Sequence, residues 1–169
     1  TSPAASVNPT DFRITITGLK DHIMPEAHTV SSYDDDLRFL VRRLSEMGGI
    51  AERMVADSVA ALVNADTASA QRVISEDLLL DAGEREVYDK AVLVIAKRQP
   101  MASDLREIIG SIRIASDLER VGDLGKNIAK RVIAVHTMAQ PRKLVRGLEH
   151  LAELALTQLK EVLDAFATR

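Results

Sequence analysis

The stretch SIRIASDLERVGDLGKN, residues 111–127, is helical by its period yet carries acids where a core-facing stripe should be apolar. At about 100° per residue, Glu119, Asp123 and Asn127 fall in line with Leu105, Ile109 and Ile112, so a stripe that begins hydrophobic turns acidic halfway along. Carboxylates on such a stripe cost free energy unless a cation compensates them. The question is which cation.

Working outward, the helix that holds this stretch extends from about residue 101 to about 134. It is apolar on two sides, with Leu105, Ile109 and Ile112 on one and Ile114, Leu118, Val121, Ile128 and Val132 on the other, so it should be flanked twice. A second helix precedes it, capped by Asp66 or Thr67 and closed by KRQP. Its stripe reads Val73, Ile74, Asp77, Asp81, Glu84, Tyr88, Val92 and Ile95. A first helix, capped by Ser32 or Asp34, carries Leu37, Val41, Leu44, Gly48, Ala51, Val55, Val59 and Leu62 to a stop near VNAD. Gly48 and Gly49 lie inside it, where glycine costs about 1 kcal/mol against alanine, which points to close approach of another backbone. Three helices of roughly 30 residues, each some ~45 Å long and joined by short turns, make an antiparallel three-helix bundle over residues 31–138.

On either side of that bundle the pattern changes. Residues 1–30 are rich in Thr, Ser and Pro without a helical period, and FRITITGL would at most be a short strand, so they read as a poorly structured extension. Met24 would serve as an original start, with the residues before it foreign to the native chain. TMAQPRK breaks the third helix, and a fourth covers residues 142–169. Offset by 104 residues, it lies on the first, pairing Val41 with Val145, Leu44 with Leu148, Gly48 with Ala152 and Ala51 with Ala155. This reads as the first helix of an incomplete second repeat, whose apolar face should pack on the bundle or on another copy.

Composition agrees with an all-α fold and narrows the function. The 169 residues are 46% hydrophobic but only 3% aromatic, with no Trp, which favours helices over sheets. No Cys is present, which rules out disulfides, thiolate metal sites and a Cys nucleophile, and suits a cytoplasmic protein. Twenty-two basic and 25 acidic residues are interspersed for a net charge of −3, leaving no basic stripe for nucleic acid. No run of about 18 apolar residues exists, so no membrane insertion is expected.

The chemistry is concentrated in two acid-x-x-x-acid pairs, Asp77 with Asp81 and Glu119 with Asp123, with Asn127 as a helper ligand. Like charges one turn apart repel, and hard oxygen donors without Cys or His favour iron, magnesium, manganese or calcium over a tetrahedral zinc site. The competing reading pairs these acids with Arg85, Arg106, Arg113, Arg120 or Arg131. Neither His22, His28, His136 nor His150 has the Glu-x-x-His spacing of di-iron bundles or a phosphotransfer position in mid-bundle. With no phosphate loop or Ser/His/Asp grouping, no catalytic residue is assigned and no enzyme is expected.

The segments QPMASDLREIIGSIRIASDLERVGDLGKNIAKR and DDDLRFLVRRLSEMGGIAERM closely resemble the PhoU family of phosphate-signalling regulators. The resemblance covers about residues 28–169. It implies tandem three-helix bundles with E(D)xxxD motifs on the second and third helices that hold iron or other metal ions, magnesium, manganese and zinc among them. Those motifs stand here as Asp77-Leu-Leu-Leu-Asp81 and Glu119-Arg-Val-Gly-Asp123. It further implies a negative regulator of phosphate uptake that is cytoplasmic and homo-oligomeric. Such a protein is an adaptor between a phosphate ABC transporter ATPase (PstB-like) and a sensor histidine kinase (PhoR-like). The alternatives from the residues alone are a metal-dependent helical-bundle enzyme using the same carboxylates and, behind it, a phosphotransfer module.

Overall fold

The computed structural model describes residues 26–137 and 142–168. Most of the expected extension, including Met24 and His22, lies outside the described residues, as does the middle of TMAQPRK. Four helices follow in chain order, α1 Glu26–Asn64, α2 Thr67–Arg98, α3 Ala102–Val135 and α4 Arg142–Ala167, and no strand occurs among the described residues. The helix α1 starts earlier than the Ser32 or Asp34 cap, because no Pro or Gly interrupts the chain between Glu26 and Gly48.

Local chemistry sets the turns. Asp66 caps α2, its carboxylate accepting from the Ala68 and Ser69 amides at 3.0 Å each; the Ser69 hydroxyl that also donates to it, and then the Ser69 amide, hold the carboxyl below its ordinary range. At the other end Gln99 adopts a left-handed conformation, φ 48°, and donates its amide to the Ile95 carbonyl at 3.1 Å. Pro100 then excludes a further helical turn.

The core is a seam with alternating three- and four-residue steps. In α1 it runs through Leu40, Leu44, Met47, Ala51, Met54, Ser58 and Ala61. In α3 it runs through Ile108, Ser111, Ala115, Leu118, Gly122, Gly125, Ala129 and Val132. That spacing belongs to left-handed bundles whose side chains interlock as knobs in holes. The apolar stripes expected from the sequence share Leu44, Ala51, Val73, Leu118 and Val132 with it and otherwise lie to one side. On α3 the seam passes between the two predicted lines, leaving Leu105 and Ile109 exposed. On α2, Tyr88 and Val92 are exposed while Leu80, Val87 and Val94 are buried.

Two glycines set the spacing between helices. A Cβ on Gly125 would stand 3.0 Å from the Met54 carbonyl carbon and 3.1 Å from its oxygen, so α1 and α3 touch through their backbones. A Cβ on Gly48 would stand 2.6 Å from Leu163, so the close approach expected there is made by a side chain of α4. Among the other helices α4 packs on α1, through Leu159, Leu163 and Phe166. The predicted inward stripe of α1 is therefore divided, with Leu44 and Ala51 in the core and Gly48, Val55 and Leu62 on the side toward α4. An apolar groove of about 380 Å³ remains between α1, α3 and α4, with Val55, Leu62, Leu124, Ile128, Leu151 and Leu156 on its walls.

Ion pairs and one half-buried phenol tie the opposite end of the bundle. Lys90 meets Asp36 at 2.6 Å and Arg43 meets Glu86 at 2.9 Å, each joining α1 to α2. Tyr33 donates its hydroxyl to Asp104 at 3.1 Å, joining α1 to α3. Desolvation, then the Asp104 carboxylate, pushes the phenol up to about 12.

Candidate functional site

The acid pairs sit on the edge where α2 and α3 run antiparallel. One position beyond the buried seam residues Leu118 and Gly122, the helix turns Glu119 and Asp123 out of the core and toward α2. Asp77 occupies a seam position of α2 and is only 6% exposed. Asp81 and Glu84 follow it, half-buried, along the edge. The sequence-predicted Asp77, Asp81, Glu119 and Asp123 therefore share one edge, and Glu119 feels the field of all three others and of Glu84. Asn127 is exposed, at the margin of this group.

The compensating cation is a lysine. Lys126 reaches from α3 to place its ammonium 2.5 Å from Asp77 Oδ2 and 2.6 Å from Asp123 Oδ1. None of the five candidate arginines takes that place; Arg85, for one, donates its Nε to the Asp81 backbone carbonyl at 3.0 Å. Sequence reasoning confined to arginines misses Lys126, although its position three residues after Asp123 places both on one side of α3.

The electrostatics follow from this geometry. Bonding to Lys126 holds the Asp123 carboxyl below the usual carboxylate range. The lysine in turn is raised, by its bond to Asp123 first and to Asp77 second, against an opposing desolvation. Glu119 moves the other way, pushed up by desolvation and then by the neighbouring Asp123, Glu84, Asp81 and Asp77 charges. One lysine thus satisfies two carboxylates and leaves the rest of the edge under mutual repulsion.

Two observations bear on whether a metal ion fits. The Asp77 Oδ1 atom is buried without a hydrogen-bond partner, and an unsatisfied hard oxygen beside further carboxylates is the donor chemistry of iron, manganese or magnesium. Yet no three His, Asp or Glu side chains among the described residues converge closely enough to hold an ion. The ammonium of Lys126 stands where Asp77 and Asp123 meet. The donors suit a hard cation in kind, while their present arrangement is closed on the lysine.

Known proteins share this architecture. A family model described as the PhoU domain matches residues 44–132, a span that contains both acid pairs and Lys126. The phosphate-specific transport system accessory protein PhoU homolog of Rhizobium meliloti is 70% identical over 146 residues, covering 86% of this chain and 62% of that protein. The corresponding Caulobacter vibrioides homolog is 44% identical over 142 residues, covering 83% and 61%. The crystal structure of PhoU from Pseudomonas aeruginosa superposes with a TM-score of 0.77 at 34% identity, covering 80% of this chain and 65% of that one. The chain thus spans about three fifths of the length of these curated relatives. No helix among the described residues is long and apolar enough to cross a membrane.

Proposed function

The chain belongs to the PhoU family, and on that premise we propose that it acts as a regulator that restrains phosphate uptake and phosphate-starvation signalling. In this reading it is an adaptor, binding the ATPase subunit of a phosphate ABC transporter on one side and a sensor histidine kinase on the other. It works in the cytoplasm and as a homo-oligomer, with no catalytic step of its own.

The observation that carries the reading is the α2–α3 edge, where matched family sequence coincides with a cluster of carboxylates that a single lysine only partly compensates. A hard metal ion there would be held by Asp77, Asp81, Glu119 and Asp123, and would supply more positive charge than the single lysine that now meets Asp77 and Asp123. The chain's own contribution is a rigid support: behind the edge α3 packs closely on α1 at Gly125 and on Leu80 of α2 at Gly122. Asp77, held at a seam position, orients the cluster toward Lys126.

The test replaces the PhoU protein of a bacterium with this one and reads a phosphate-starvation reporter at replete phosphate. The expected result is a silent reporter with the wild-type sequence and an active one with Asp77→Ala and Asp123→Ala together, at equal protein level. A reporter that stays active with normally folded wild-type protein would remove the regulatory reading. Elemental mass spectrometry of the same two proteins reads the ligand assignment separately.

A further inference from the structure

We propose that Lys126 and a hard metal ion compete for the same two carboxylates, so that loading an ion frees the lysine and replaces its link between α2 and α3 with coordination by Asp77 and Asp123. The inference rests on the metal-ligating reading of the edge given above, and takes it further by naming the residue that controls loading.

The geometry makes the two cations exclusive. The ammonium already lies 2.5 Å from Asp77 Oδ2 and 2.6 Å from Asp123 Oδ1, inside the distance at which a nitrogen and an oxygen normally hydrogen-bond. Hard ions sit about 2.0–2.6 Å from their oxygen ligands. An ion engaging the same two oxygens would therefore fall almost on the ammonium, at a separation no pair of cations tolerates. One of them must leave.

Two features decide that the lysine is the one able to move. Its side chain is 20% exposed and ends a flexible four-carbon stem, so it has a path to water where its charge is well solvated. Asp77 cannot follow, since its side chain is 9% exposed on a seam position. An incoming ion would also reach Asp77 Oδ1, the buried oxygen that has no partner and that the lysine leaves unused. The lysine thus makes the edge stable with no metal present and sets a threshold on ion binding.

The experiment titrates Mn²⁺ into the full chain and follows loss of the free-ion electron paramagnetic resonance signal, for wild type, Lys126→Met and Lys126→Gln. Methionine keeps the apolar stem without the charge, and helical circular dichroism establishes that each variant is folded. The expected result is Mn²⁺ binding at least tenfold tighter in both variants than in wild type, and the gain abolished when Asp77→Asn is added. Equal, measurable affinity in all three would overturn the competition while leaving the edge as a ligand site. No binding by any of them would overturn both the competition and the ligand assignment.

Discussion

Two faces of α3, one residue apart in register, behave as different materials. On one, Gly122 and Gly125 bring α3 against Leu80 and the Met54 backbone with no room for a methyl group. On the other, Glu119, Asp123 and Lys126 meet α2 through charges with partial access to water. A step of about 100° separates dry contact from an electrostatic edge. The dry face tolerates no added volume and is indifferent to pH. The charged edge tolerates changes of size and responds to every change of charge. Close packing is thereby concentrated on one face of the helix and charge on the other.

The largest effect should come from adding volume to the dry face. Gly125→Val would drive two methyl groups into the α1 backbone and should cost about 3 kcal/mol, or prevent folding altogether, as read by urea denaturation. Gly110, on the same helix, is the control, because a Cβ added there would meet nothing within 4 Å. Its replacement by Ala should stabilise by up to about 1 kcal/mol. Equal effects at the two glycines would dissolve the distinction.

On the charged edge, Asp77→Ala removes one of the lysine's two partners and should cost about 2 kcal/mol in the same assay. The loss should be insensitive to side-chain volume, so Asp77→Leu would not rescue it. Full rescue by leucine would make this position part of the dry core instead.

Away from both faces, Tyr33→Phe should cost about 1 kcal/mol at neutral pH by losing the bond to Asp104. The phenol's folded value, about 12, lies above its unfolded value of about 10, so its contribution is complete below pH 10 and lost as pH rises toward 12. Thermal melts of the two proteins across that range should converge. Parallel curves would mean that the bond contributes nothing.

The smallest effect has the opposite sign. Because Glu119 is raised by burial and by its acidic neighbours, its charged form costs stability above its folded pKa and nothing below its unfolded one. Glu119→Gln should therefore stabilise by a few tenths of a kcal/mol at pH 7, with the gain gone below about pH 4. A loss of stability at pH 7 would show that Glu119 already has a cationic partner.

The same contrast between the faces separates what is legible in the sequence from what is not. Four helices, their order and the turns at VNAD and KRQP are legible because Asp66, Gln99 and Pro100 are strong local signals. The sides of the helices are harder to read. The seam of α3 is built largely from Ser111, Ala115, Gly122, Gly125 and Ala129, small residues that a search for large apolar side chains passes over in favour of the flanking isoleucines. The acids of the edge are visible through their four-residue spacing. Their partner is half visible, since Lys126 follows Asp123 by three residues, but its bond to Asp77 spans 49 positions of sequence and exists only through the antiparallel register of α2 and α3.

That one contact holds the acidic edge together, and a double-mutant cycle on Asp77→Asn and Lys126→Met measures it. Unfolding free energies of wild type, both single variants and the double variant isolate the coupling between the two helices from everything else each residue does. A coupling of about 1 kcal/mol or more, shrinking when Mn²⁺ is added, is the predicted result. A coupling of zero would contradict the claim that a lysine on α3 bridges the two helices.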